Sequence, residues 1–296
     1  MNRSQFSSAV VPGLFSFMVS SFKEVAPYYK QVSMVKPSKR AYEESAYYAG
    51  LGLVPEKPEG EKISYDDFIQ GPTKRWVHKT YSMGVRITDE MIEDALYPDI
   101  PTEMSDMTKE LGRSARETIN VLIHDIYNST TKTAGDGLSV FNASHTKLGG
   151  GTWANQASAS ADLAATSLKN AIADMEATTD DRGKQQVLKP TTLIVPPELE
   201  WTAKELLNST HDPESANNAV NTIQSRNLKL LVDPYLTDDD TWFLAASKIP
   251  IITFMRRPVK FEKDGDFETG DAKFKVSFRI SCECNLPLGI YKVPGA

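Results

Sequence analysis

The stretch from Thr102 to Asn128 carries apolar side chains at Met104, Met107, Leu111, Ala115, Ile119, Leu122 and Ile126, in steps of three and four. That spacing lays one stripe along a helix. At 1.5 Å per residue such a helix runs for roughly 40 Å. A rod of that length with a single apolar face is a spine on which a sheet must lie, which points to an α+β chain built around it.

The segments around this spine read as follows. Residues 1–49 mix aromatics with small polar residues, show no sustained period and carry Pro27 and Pro37, so they predict an extended arm with one short helix. Residues 9–19 imitate a signal-peptide core behind Arg3, but Pro12 and Gly13 interrupt it and no small-x-small cleavage site follows. Pro55, Pro58, Gly60, Gly71 and Pro72 flank the strand-like runs ISYDDFI (63–69) and KRWVHKTYSMGVRI (74–87), a pattern expected of a long, exposed, two-stranded loop. Thr88 ahead of Glu90 and Met91 predicts a short capped helix that Pro98 and Pro101 stop.

Beyond the spine, residues 134–155 are rich in Gly, Ser and Asn and predict a loop, and Leu163, Leu168, Ile172 and Met175 return to helical spacing. TTLIVPP (191–197) reads as a strand, with Pro197 suited to the first turn of a helix over 198–208. LKLLVDPYL (228–236) and TWFLAAS (241–247) read as two strands about an aspartate-rich turn, and IITFM, VKFEK, FKVSFRISCEC and GIYKV as strands after it.

Composition narrows the function. The 296 residues are 40% hydrophobic and 24% charged, with a net charge of -6. A chain whose main task is gripping phosphates would cluster Lys and Arg and carry the opposite balance. No apolar run reaches the ~18 residues of a membrane span. Cys282 and Cys284 stand alone two residues apart, and His78, His124, His145 and His211 lack zinc-ligand spacing, so neither a disulfide framework, a metal nor a cofactor is expected. Ser144 beside His145, with Asp136 upstream, offers a hydrolase reading, but no GxSxG elbow accompanies it. Gly149 to Gly151 lack the strand and GK[ST] context of a phosphate loop, and Asp238, Asp239 and Asp240 lack the interleaved ligand spacing of a calcium loop. No catalytic residue is assigned.

Three ordered segments carry a family resemblance: GDGLSVFNASHTKLGGGTWAN (135–155), LKPTTLIVPPELEWTAKELLNS (188–209) and LKLLVDPYLTDDDTWFLAAS (228–247). The chain resembles the major head subunits of Mu-like phages and prophages, whose fold is the Hong Kong 97-type capsid fold, and the likeness in layout covers residues 86–277. It implies an N-terminal arm over 1–49, an extended loop over 50–82, and a peripheral domain over 83–190 with its spine at about 102–128. An axial domain over 191–248 and returning strands over 249–296 complete the layout, the last by order alone, since the pattern departs after Phe254.

The function implied is a non-catalytic major capsid protein that tiles an icosahedral shell as pentamers and hexamers. Such a shell encloses double-stranded DNA without sequence-specific binding or a membrane, is assembled in the host cytoplasm and resides in the virion. Portal, decoration or cement protein, and a scaffolding protein are the implied partners. The arm is too short and too poor in heptads to carry its own scaffold, so a separate one, or earlier trimming, is expected. An encapsulin-like nanocompartment shell is the rival.

Arm aromatics Phe15, Phe17, Tyr28 and Tyr29 are candidate intersubunit anchors, with packing on the chain's own core as the alternative. Loop residues Glu56, Lys57, Glu61, Lys74, Arg75, Trp76 and Lys79 are candidate contacts, the acids of one copy facing the bases of another, or else solvated surface. Asn217 and Asn218 would lie nearest the symmetry axis. In some relatives a loop lysine cross-links to an asparagine of the adjacent subunit; Lys57, Lys62, Lys74 and Lys79 occupy that loop here, where solvated surface lysines are the ordinary reading.

Overall fold

A computed structural model describes residues 3–88, 90–91, 102–211, 220–265 and 270–296. The spine is α3 (Thr102–Asn128), following α1 (Arg3–Glu24) and α2 (Tyr29–Val32). It lies on a four-stranded sheet of order β1-β10-β11-β4, made of β1 (Met34–Pro37), β4 (Lys79–Ile87), β10 (Ile252–Gly265) and β11 (Ala272–Glu283). Along β11, Phe274, Val276, Phe278 and Ile280 point inward and join Leu111, Ala115, Ile119 and Ile123 of α3 in one buried cluster. Each such side chain contributes about 1.5–3 kcal/mol when taken out of water. Lys273 and Lys275 alternate with them on the solvent side, where Glu262 lies between Lys260 and Lys275.

The buried face of α3 is wider than its apolar stripe. Met107 is 37% exposed, whereas Gly112, Arg116, Asn120 and His124, one every four residues, face inward. Arg116 lays its guanidinium 3.8 Å from the Phe22 ring centroid and donates through Nε to Phe22 O (3.2 Å). Asn120 donates to Ala26 O (3.2 Å) and to Tyr235 Oη (2.9 Å), and accepts from the Tyr29 amide (3.3 Å). His124 sets Nδ1 against Asn120 O and Nε2 against Asp233 Oδ2, both at 2.6 Å. Gly112 lets α1 approach: a Cβ there would stand 2.2 Å from Met18 O.

A second sheet has the order β12-β9-β7-β8, from β7 (Pro190–Val195), β8 (Lys229–Val232), β9 (Trp242–Ala246) and β12 (Ile290–Val293). It is covered on both sides, which is why β9 reads as an unbroken apolar run. Phe243, Ala245 and Ile194 join the spine's cluster. Trp242, Leu244, Leu193 and Val195 join a second cluster under α4 (Ala165–Glu176) and α5 (Glu200–Asn208). A short hairpin of β2 (Tyr42–Ala49) with β3 (Ile69–Val77), and a two-residue pair of β5 (His145–Thr146) with β6 (Thr152–Trp153), complete the described strands.

Several sequence expectations are corrected here. Residues 3–24 form a helix through Pro12, because Leu14 and Met18, both fully buried against α3, outweigh the proline's cost of about 3 kcal/mol. The strand opposite β3 is β2, drawn from the segment read as arm; residues 63–68 form no strand. β8 and β9 do not pair with each other: β7 lies between them, parallel to β8 and antiparallel to β9. At Thr88 the hydroxyl accepts from Met91 N (3.3 Å), and the stop at Pro98 and Pro101 lies outside the described residues.

Gly112→Ala tests the helix contact. Helix propensity favours alanine by about 1 kcal/mol, but a backbone carbonyl cannot give way. Urea unfolding of the monomeric chain should show a net loss of about 2 kcal/mol; unchanged stability would mean α1 is not seated on α3 at this point.

Candidate assembly surface

The β2/β3 hairpin departs from the main sheet at two breaks: residues 38–41 between β1 and β2, and the single residue His78 between β3 and β4. The breaks are fastened to each other. Ser38 Oγ donates to Glu43 Oε1 (2.6 Å), so it accepts from His78 Nε2 at 3.2 Å. That leaves Nδ1 to accept from Ser281 Oγ (3.0 Å), a neutral ring with both nitrogens satisfied. Arg279 donates to His78 O (3.2 Å), and Phe254 closes the site 6.5 Å from the ring. Trp76, 2% exposed, packs on Phe254 with centroids 5.2 Å apart, so this candidate contact is core within its own subunit.

Along the hairpin, Arg75 pairs with Glu44 (2.6 Å) and lies 4.2 Å from the Tyr42 ring centroid. Lys74 reaches Thr133 O and Glu283 (3.2 Å). Both bases thus have partners within the chain, although Arg75, like Lys79, is exposed. Beyond β2 and β3 the tip carries Glu56, Lys57, Glu61 and Lys62, all exposed. Its apolar side chains are exposed too: Leu53 at 80%, Val54 at 94%, Tyr65 at 89% and Phe68 at 66%. Four large apolar side chains of one segment thus stand in water.

The arm aromatics divide. Tyr29 is buried, its amide held by Asn120 and its hydroxyl 3.4 Å from Arg116. Tyr28 is half-buried against Tyr235, with centroids 5.6 Å apart, and Phe15 and Phe17 are half-buried at the edge of the spine's cluster. Asn217 and Asn218 lie outside the described residues. Three side chains the sequence reading passed over, Asp66, Arg182 and Lys184, meet at the neck of the tip. The only advance signal was the turn-like sequence DDRG.

Ser144 and His145 do not face each other. His145 is fully buried, stacked on Trp153 (4.6 Å), with Nδ1 2.7 Å from Asp136 Oδ2 and Nε2 3.1 Å from Asn155 Oδ1. Asn155 also accepts from Asn142 N (2.8 Å) and donates to Val140 O (2.8 Å), so the network fastens the 134–155 loop. With both nitrogens taken and Ser144 exposed, the imidazole is not placed to activate that hydroxyl. Asp238 caps its own turn, accepting from Thr241 Oγ1 (2.8 Å) and the Asp240 and Thr241 amides. Burial pushes the Cys282 thiol up to about 12 and raises Cys284 as well, which keeps both protonated. Among the described residues no group of three His, Cys, Asp or Glu is placed to hold a metal ion, and no helix is long and apolar enough to cross a membrane.

The sequence profile of a phage capsid protein family matches residues 72–293. Among solved structures, the chain is similar to one from Microbacterium phage Oxtober96, with a TM-score of 0.56 at 11% identity over 92% of each chain. The mature capsid of bacteriophage PhiM1 gives a TM-score of 0.57 at 13% identity, over 91% of this chain and 87% of that one. A virus-like particle from Pyrococcus furiosus gives 0.53 at 13% identity, over 96% and 98%. At these identities the likeness is one of fold. No curated protein matches the chain.

The hairpin base yields a pH prediction. Burial first, then Arg279, with Glu43 opposing and Arg256 adding, holds His78 below its ordinary 6.5. Below pH 6.5 the unfolded chain takes up a proton that the folded ring refuses. The histidine's contribution to stability is therefore complete above that pH and declines as pH falls toward the folded value. Urea midpoints of the unassembled subunit between pH 7.5 and 5 should fall more steeply for the wild type than for His78→Gln; parallel curves would remove the effect.

Proposed function

The chain belongs to the phage capsid protein family, as a major capsid protein with the Hong Kong 97-type fold, and we propose that its work is mechanical throughout. Copies tile a closed shell as pentamers and hexamers, and no step of that work is catalytic. Residues 50–82 act as the extended loop, 83–190 with 249–296 as the peripheral domain, and 191–248 as the axial domain. Residues 1–49 are the arm, although α1 makes its first part a helix on the spine. The observation that carries this reading is the tip: Leu53, Val54, Tyr65 and Phe68 stand in water in the lone subunit. Burying them against a neighbour contributes about 1.5–3 kcal/mol per side chain before ordering costs.

Of the candidate contacts, Glu56, Lys57, Glu61 and Lys79 remain proposed partners across the interface, joined by Phe15, Phe17 and Tyr28 where they are half-buried. Arg75 and Lys74 act instead within the subunit, stiffening the hairpin. Scaffolding protein, portal and a decoration protein complete the assembly, which forms in the host cytoplasm, and the Mu-like subtype rests on the three ordered motifs. An encapsulin-like compartment is the lesser reading. DNA inside the particle, with a portal vertex, separates it from a shell that holds a cargo protein.

Replacing residues 53–65 with a glycine-serine linker of equal length should leave the subunit's melting temperature within about 2 °C, since those residues add nothing to either core. Closed particles should vanish in electron micrographs. Normal shells from that variant would take the tip out of assembly.

A further inference from the structure

Between α4 and β7 the chain makes a tight turn that reaches the neck of the tip. Asp180 Oδ1 accepts the amides of Arg182 (2.9 Å) and Lys184 (2.7 Å), Asp180 N donates to Lys184 O (2.8 Å), and Gly183 takes φ of 78°. Only glycine adopts that backbone without strain. The turn is bonded from behind to the loop between β5 and β6: Leu148 N donates to Asp181 Oδ1 (3.0 Å), and Lys147 Nζ to Thr179 Oγ1 (2.5 Å). Val187, at φ 50°, holds a left-handed conformation rare for a β-branched residue as the turn exits.

From this fixed turn two cations grip both sides of the neck. Arg182 donates through one terminal nitrogen to Asp66 Oδ1 (3.2 Å) and to Asp67 O (2.7 Å). Lys184 Nζ donates to Leu51 O (2.6 Å). Asp66 then ties the two sides together by accepting Gly52 N through Oδ2 (2.8 Å). That amide first, and the Arg182 guanidinium after it, hold the Asp66 carboxyl below the usual carboxylate range.

We propose that Arg182 and Lys184 are positioning residues for assembly: they clasp the neck in the lone subunit and fix the direction in which residues 53–65 project. An exposed ion pair by itself contributes little. Here the geometry matters more than the charge, because two backbone carbonyls and a carboxylate are held from one internally hydrogen-bonded turn. The neck's ordering entropy is then lost before a neighbour arrives, which leaves more of the contact free energy for docking.

The role rests on the shell reading, so the test has two arms. The first is limited trypsinolysis of the unassembled full chain after Lys62. Lys57 is protected by the proline that follows it, so Lys62 reports the tip. The double variant Arg182→Ala/Lys184→Ala should be cut about threefold faster, with Arg182→Lys alone cut at a rate between wild type and double variant, in the range exposed pairs support. The second arm is the rate of shell closure followed by light scattering. It should slow by a similar factor while the subunit's melting temperature stays put, a split that a merely structural role would not give. Wild-type cleavage in the double variant, or faster cleavage with undiminished closure, overturns the positioning role. A wild-type chain that closes no shell with its scaffolding protein present overturns the shell reading itself, and the two failures are distinguishable because the cleavage arm needs no assembly.

Discussion

The row of Gly112, Arg116, Asn120 and His124 on the spine is the constraint the rest of the fold leans on. Each residue fastens a different piece of chain: Gly112 admits α1, Arg116 holds its last turn, Asn120 holds the 26–29 link, and His124 holds Asp233. Deleting one member of a buried polar pair strands the other, at a cost of about 1–3 kcal/mol and more when charge is involved. Both nitrogens of His124 face acceptors, so a proton must sit between Nε2 and Asp233 Oδ2 for the pair to be satisfied. Apolar packing alone would let the helix slide or rotate; this row fixes its register.

The same logic explains how the two clusters are joined. Asp233 follows β8 directly, accepts Tyr235 N (3.0 Å), and donates its own amide to Val195 O (2.9 Å). The contact to His124 therefore joins the spine to the second sheet at the end of its edge strand, β8. That sheet in turn offers Phe243 and Ala245 to one cluster and Trp242 and Leu244 to the other. A rotation of one cluster against the other would have to break a buried pair and shear a doubly covered sheet.

What the sequence made legible was periodic. The stripe on α3 and the alternation along β11 each follow from a spacing that only one secondary structure can satisfy. The polar row escaped notice because Arg116, Asn120 and His124 look like solvent-facing residues until their partners, far away in sequence, are in place. Pro12 misled for a related reason: a local penalty was outweighed by burial of Leu14 and Met18 that no local window contains. The clasp was hidden because its ends, Asp66 and Arg182, are joined only by tertiary structure. Arg75 and Trp76 were legible as to place but not as to role, since nothing in the sequence indicates that Glu44 and Phe254 already engage them.

The one-residue break at His78 has a mechanical side. Tension drawn on the hairpin enters β4 at Lys79 and travels along the strand, where the ladder to β11 holds nine registered pairs from Lys79 to Ile87. Loaded lengthwise, those rungs share the strain and must yield together; loaded crosswise, they would peel one by one. On the proposed reading of the hairpin as a strap between copies, a container swollen from within pulls in the first sense, along the direction in which this hydrogen-bonded ribbon is hardest to tear.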